Sequence, residues 1–389
     1  MSFKSALLVA GFVLAALNLR PAIAGVSPLL DEIMTDMGLT PAAGGGIATV
    51  MVICLGVFSP LAPVLARRLG LDRTLLAGLL LLALGLLVRV SDGAPVLYVG
   101  SAMAATAIAV MNVIMPAIVK QHFPARINLL TGVYSSGIVA GAAGASALVI
   151  PLEQVTGHDW RGVSALMAVP AVAGALLWLP QAFGPQAVPQ QGRRPIRAIL
   201  RNPVTWQVTA WMGLQSATFY ITLTWLPKIF LDAGLPADQA GYLLGLSALV
   251  QVAATLGVPV VAGRRASQVP YVVAAGLLTA VGYLAVLLAP TTVPWLWMLV
   301  LGIGQGASFA LALLIIALRP ANPETVTALS AVAQSVGYVI AALGPLLFGY
   351  LGQVSGGWTV PLLAGLGVVA AQMVTGWFAG RPATLGTAD

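Results

Sequence analysis

Charge is what this sequence has least of. Asp, Glu, Lys and Arg make up 7% of its 389 residues, where a soluble domain carries roughly 25%. So little charge cannot cover a water-facing surface of ordinary size. With 59% hydrophobic residues and a mean hydropathy of +0.97, the chain reads as a polytopic membrane protein. Cysteine is down to Cys54 alone, which excludes an intramolecular disulfide and a cysteine metal cluster. It reads as a buried small apolar residue. The two histidines, His122 and His158, are far apart, and no His-Glu-x-x-His or nucleophile–base pair accompanies them, which argues against an integral membrane enzyme. There is no P-loop, so ATP drive is disfavoured, and no cofactor motif. The net charge of +7 falls in short basic pairs between apolar runs, the pattern of membrane topology rather than of nucleic-acid binding.

What is there is a series of runs long enough to cross about 30 Å of hydrocarbon. They fall at roughly 5–28, 41–65, 73–91, 96–120, 129–151, 162–182, 203–230, 237–262, 269–289, 294–318, 326–350 and 358–379. The N-terminus mimics a signal peptide, with Lys4, an apolar run and Ala22-Ile23-Ala24. Arg20 beside that site and the many later spans favour an uncleaved first helix. The stretch 184–201, rich in Pro, Gln, Gly and Arg, reads as a cytoplasmic strap between an N-terminal bundle, 1–183, and a C-terminal one, 202–389. With the N-terminus inside, fourteen basic residues fall on the inner face and three (Arg89, Arg161 and Lys228) on the outer. That bias puts both termini in the cytoplasm, with the chain in a bacterial inner membrane. No acid lies in the interior of any of these spans; Asp238 stands at the outer end of the eighth.

The halves repeat. Gly38-Leu39-Thr40-Pro41 is echoed by Gly234-Leu235-Pro236, Arg67-Arg68 by Arg264-Arg265, Phe123-Pro124-Ala125 by Arg319-Pro320-Ala321, and Trp160 by Trp358, all at offsets of 196 to 198 residues. A constant offset means duplication without inversion: twelve transmembrane helices in two parallel, pseudo-symmetric six-helix bundles, an all-α fold of the major facilitator type with its site near the midplane.

One segment stands apart. In Asn18-Leu19-Arg20-Pro21, Arg20 is the only charge from Ser5 to Leu30. An arginine at that depth costs about 2.5–3.5 kcal/mol on the insertion scale, so it faces a partner or a water-filled cavity. Pro21 lacks a backbone donor, kinks the helix and frees the Leu17 carbonyl.

These residues resemble a known family. Asn18-Leu19-Arg20-Pro21-Ala22 with Gly25-Val26-Ser27-Pro28-Leu29-Leu30 is similar to the first helix of the cyanate and nitroimidazole (CynX/NimT) branch of the major facilitators. Ile114-Met115-Pro116-Ala117-Ile118-Val119-Lys120 resembles its fourth, and Trp225-Leu226-Pro227 its seventh. One departure follows span two: Ala66-Arg67-Arg68-Leu69-Gly70 lacks the superfamily's usual acid ahead of the basic pair, and Asp72 comes later. The resemblance implies secondary transport of a small, often anionic solute by alternating access.

By analogy with that fold, spans one, four, seven and ten line the cavity. Their polar residues near mid-depth are Asn18, Arg20, Asn112, Gln215, Thr218, Thr222, Gln305 and Ser308. Trp211, Gln215, Thr218 and Thr222 share one helix face. Arg20 can offer a planar fork to a carboxylate, cyanate or nitro group. Tyr134, Tyr220, Trp225, Phe309, Gln334 and Tyr338 are candidate walls or gates. Bland readings stand beside these: Arg20 bracing the bundle through a helix-end carbonyl, Asp31 or Glu32; the amides as interhelical glue; the aromatics as packing or interface anchors. The expected partners are a small-molecule solute and the bilayer, with the chain monomeric. The rival functions are export of a neutral nitroaromatic or other drug-like compound and, from another class, a membrane enzyme.

Overall fold

The first apolar run does not stay helical along its length. A computed structural model describes residues 3–157, 159–184 and 199–385, with the backbone alone at 3–5, 27, 31, 41, 42, 45, 48, 237 and 238. Helix α1 (Phe3–Leu17) stops one turn before Pro21, and α2 (Pro21–Ala24) follows after a break. A 3-10 turn at Ser27–Leu29 then leads into α3 (Leu30–Met37). Most of the strap (185–198) and His158 lie outside the described residues, as do the side chains of Lys4 and Asp31.

Span two is also broken. Helices α4 (Pro41–Phe58) and α5 (Leu61–Leu69) meet at a 55° bend, where a single run over 41–65 was expected. Pro60 has no N–H to give, and the Ser59 hydroxyl bonds back to the Leu55 carbonyl at 2.5 Å, so the ladder is interrupted twice. The chain continues through α6 (Leu71–Arg89), α7 (Ala94–His122), α8 (Ile127–Thr156), α9 (Trp160–Leu166) and α10 (Ala168–Ala182). The later helices are α11 (Pro203–Asp232), α12 (Ala237–Ala262), α13 (Val269–Leu288), α14 (Pro294–Leu318), α15 (Pro323–Ser355) and α16 (Thr359–Gly380). Polar caps ahead of an N1 proline open three of them: Thr40, Asn202 and Asn322 each accept a backbone N–H from the first turn.

Among the described residues ten helices are long and apolar enough to cross a membrane, and the bent α4–α5 pair makes eleven. The twelfth, α11, has 30 residues but falls short in apolarity. Gln207, Gln215, Thr218, Thr222 and Thr224 occupy the span expected as seventh, and most of its polar groups are turned inward.

The chain divides into two compact units, Met1–Gln121 with Gly137–Arg193, and His122–Ser136 with Arg194–Asp389. In the first, α10 packs on α1 and α6. In the second, α11 packs on α15 and α16, and α14 on α12 and α13. The start of α8 groups with the second unit, where the Ser136 hydroxyl lies 3.0 Å from Thr255 Oγ1 and donates to the Val252 carbonyl at 3.0 Å.

The duplication is written in bonds as well as in letters. In the first unit the Trp160 indole N–H donates to Asp36 at 3.1 Å; in the second, Trp358 donates to Asp232 at 2.9 Å. The other end of each unit is tied at a common corner. Gln121 donates to Asp72 at 3.1 Å and Arg73 to the Ala182 carbonyl at 3.1 Å. At the equivalent corner Arg319 donates to Gln268 at 2.7 Å and to the Ala379 carbonyl at 3.0 and 3.1 Å.

One expectation is corrected here, and two basic residues prove more buried than their assignment to a membrane face conveys. Asp72, read as lying before span three, sits in its first turn and is 3% exposed, so a buried acid does occur at a span end. Arg319, counted on the inner face, is 4% exposed and held by three hydrogen bonds. Arg89, assigned to the outer face, is 2% exposed, because α6 and α7 close tightly around it. A side-chain carbon on Gly100 would stand 2.7 Å from the Gly85 carbonyl oxygen and nearer still to the Arg89 backbone.

Candidate functional site

In the first unit the polar residues converge on the break between α1 and α2. With Pro21 giving no N–H, the chain turns at Arg20, which adopts φ −132° and ψ −25° ahead of α2. Neighbouring groups hold the break open. The Asn18 amide, 4% exposed, donates to the Leu14 carbonyl at 2.8 Å, which also takes the Asn18 backbone N–H at 3.2 Å. Arg89 reaches across from α6 and donates to the Ala22 carbonyl at 2.8 Å. Ser146 of α8 donates to the Ala24 carbonyl at 3.4 Å. Gly141 of α8 lies against the freed Leu17 carbonyl, so close that a side chain there would meet the carbonyl carbon at 3.2 Å and Pro21 Cδ at 3.4 Å. Arg20 itself is half-buried and engaged. Asn112 is in the same unit, 2% exposed on α7.

The second unit carries a neutral network around α11. Thr218 donates to Gln372 at 3.1 Å, and Gln372 donates on to Ser308 at 3.1 Å. Gln305 donates to Thr222 at 2.7 Å, and Tyr283 donates to the Thr218 carbonyl at 3.0 Å. Four helices (α11, α13, α14 and α16) are thereby laced together. Beside Thr222 and Tyr283 is a void of about 10 Å³, room for one water at most. Among the described residues of this unit, Gln305 Oε1 and Trp211 Nε1 are among the five side-chain polar atoms buried without a hydrogen-bond partner, with Thr131 Oγ1, Thr205 Oγ1 and Ser335 Oγ.

The remaining candidates are spread over the second unit. Gln215 is 2% exposed and spends its amide on Ser216 Oγ at 2.7 Å and the Met212 carbonyl at 3.1 Å. Tyr134 and Tyr338 are buried; Tyr220 and Phe309 are half-buried, Tyr220 edge-on to Phe219. Gln334 turns to Ser330 at 2.9 Å. Trp225 donates to the Pro345 carbonyl at 2.8 Å and packs on Trp358 with ring centres 5.5 Å apart, an anchoring role. Tyr283 and Gln372 escaped the sequence reading because they sit on spans nine and twelve, outside the four taken to line the cavity.

The description "Major Facilitator Superfamily" fits residues 7–345 of the chain. The chain belongs to the major facilitator superfamily. Within it, the 2-nitroimidazole transporter of Escherichia coli is 36% identical over 377 residues, covering 96% of this chain and 95% of that one. The cyanate transport protein CynX of the same organism is 28% identical over 346 residues, 88% of this chain and 89% of that one. The chain is therefore a member of the cyanate/nitroimidazole transporter family, a multi-pass membrane transporter and not an enzyme. Among solved structures, the major facilitator proton:xylose symporter XylE superposes with a TM-score of 0.78 at 13% identity, covering 99% of this chain and 98% of that one. The likeness establishes the shared all-α fold. In a facilitator of this family, a first span broken at its only interior charge is the most distinctive polar feature of the first unit.

Proposed function

We propose that this facilitator carries a small anion, of the cyanate or small-carboxylate kind, by alternating access, with Arg20 as its central ligand. The reading rests on one observation: the interior charge of span one stands at a backbone break held by Arg89, Gly141 and Ser146. A guanidinium there can exchange its resting partner for a solute oxyanion through a two-point fork. Asn18, Asn112, Gln215, Gln305 and the aromatics Tyr134, Tyr220, Trp225, Phe309 and Tyr338 are the accessory candidates. The neighbouring names support the class, since cyanate is an anion.

The basic-residue bias favours both termini cytoplasmic; the reading further takes a bacterial inner membrane, two bundles over 1–183 and 202–389 joined by the 184–201 strap, and a monomer. An anion entering against a negative-inside potential pays about 2.3 kcal/mol per 100 mV, which favours facilitated diffusion, exchange or export over unassisted uptake.

A second reading, export of a neutral nitroaromatic, is favoured by the name of the 36%-identical relative. Thermal stabilisation of the purified protein by a panel of small anions and nitroaromatics, on wild type and Arg20→Ala, separates the two. A ligand at a hundredfold excess over its Kd stabilises by about 2.7 kcal/mol. Stabilisation by anions that disappears in a folded Arg20→Ala supports the first reading. Stabilisation by nitroaromatics that survives the substitution supports the second.

A further inference from the structure

Three basic residues were assigned to the outer face, and two of them meet carboxylates. Arg161 pairs with Asp36 and Asp92 and lies over the Trp160 ring; Lys228 pairs with Asp232 at 3.0 Å. Arg89 does not follow them. It is 2% exposed, and among the described residues it has one hydrogen bond, to the Ala22 carbonyl, and no carboxylate. The other buried arginine, Arg319, spreads three bonds over two acceptors.

A guanidinium has five N–H donors and keeps its proton in proteins. Taking it out of water costs several kcal/mol that a single carbonyl offsets only in part. The carbonyl end of α6, where Arg89 is the last residue, adds a modest favourable field. A glutamine or methionine at this position would fill the space and fold more cheaply. The cost of a charge here has a use if something negative arrives, and the residue it grips is two positions beyond Arg20.

We propose that Arg89 is a second cationic residue of the solute path. It positions the break in span one by holding the Ala22 carbonyl, and its charge adds to that of Arg20 in selecting a monoanion. This rests on the reading of Arg20 as the anion ligand and deepens it. Arg89 is a positioning residue: it acts through the Arg20 segment and through its field, not by touching the solute.

The test compares benzoate with benzamide, a charged and a neutral ligand of one shape, on full-length protein in lipid nanodiscs. Wild type, Arg89→Gln, Arg89→Lys and Arg20→Gln are titrated, and the readout is the ratio of the two dissociation constants. Arg89→Gln is expected to weaken benzoate about tenfold, the equivalent of about 1.4 kcal/mol, and to leave benzamide within twofold. Arg89→Lys, which keeps the charge, is expected to restore the ratio. Equal weakening of both ligands, or an unchanged ratio in Arg89→Gln, would make Arg89 a purely structural brace and overturn the proposal while leaving Arg20 in place. A wild type with no preference for benzoate removes the anion reading and this inference with it. Should Arg89→Gln fail to fold, Arg89→Lys decides alone, since losing the preference despite keeping the charge refutes the electrostatic role.

Discussion

The close approach of Gly141 to the break gives the sharpest test of how span one is held. A methyl group on Gly141 would fall under 3.0 Å from the Leu17 carbonyl oxygen, 3.2 Å from its carbonyl carbon and 3.4 Å from Pro21 Cδ. All three atoms belong to the backbone or to a proline ring, so none can swing aside as a flexible side chain does. To restore contact distances the α1 terminus or α8 must shift by about 1 Å, a rearrangement of the kind that costs about 1–3 kcal/mol. Gly144 lies on the same helix three residues on, and a methyl there meets nothing within 4 Å. Replacing that glycine removes unfolded-state freedom and adds helix propensity, worth up to about 1 kcal/mol in the opposite direction. That gain is common to both Gly→Ala variants, so they should differ by the steric cost alone, about 1–3 kcal/mol in thermal or denaturant unfolding, with Gly141→Ala the weaker. In proteoliposomes Gly141→Ala should also lose solute affinity, because Arg20 lies three residues beyond Leu17, while Gly144→Ala transports as wild type does. Equal stability of the two variants would mean that the Leu17 carbonyl is not pinned by α8, and the account of the break would fall.

Arg319→Met should lower stability by about 2–4 kcal/mol, since it strands the Gln268 and Ala379 oxygens; Arg319→Lys, with no fork, should recover less than half. A loss under about 1 kcal/mol in denaturant titration would show the corner to be decorative. Gln372→Leu, which unlaces Thr218 from Ser308, should cost about 1 kcal/mol, near the range for interhelical bonds in membranes, and leave solute affinity unchanged. A large affinity loss would move Gln372 into the site. The Arg161 guanidinium, with the Trp160 indole, holds the Asp36 carboxyl below its ordinary value of 3.8. A depressed carboxyl stabilises the fold above that value and loses its contribution as pH falls below it. The melting difference between wild type and Asp36→Asn should thus be constant from pH 5 to 7 and shrink below about pH 4; a difference that grows on acidification refutes the clasp.

How much of this was legible in the sequence depended on how local each cause was. The break at Pro21 was legible because a missing N–H acts within one turn. The bend at Ser59-Pro60 has the same cause and was missed, as the flanking residues are apolar enough to read as one span. The shared face of Thr218 and Thr222 followed from helical spacing, and both are in the network. Their partners were hidden: Tyr283 and Gln372 are brought in by packing between α11, α13 and α16, which no spacing reveals. The repeat offset pointed to Trp160 and Trp358, though not to the aspartates they bond. The burial of Arg89 was not legible for a general reason. A charge at the end of an apolar run has two equally good explanations, a loop or a buried partner, and the partner is a carbonyl 67 residues away.

The two units meet the demands of buried polar groups in different ways, and the difference bears on mechanism. In the second unit, hydroxyls and amides mostly satisfy one another across four helices, and the buried Arg319 is held by three bonds to neutral acceptors. In the first, two arginines lie at or beside one backbone break, and one of them is buried against a single carbonyl. Like charges repel, and on the proposed reading a mobile anion drawn to the pair relieves that repulsion. On the proposed reading the empty carrier is the strained state, and the loaded one is free to rock between the two faces of the membrane.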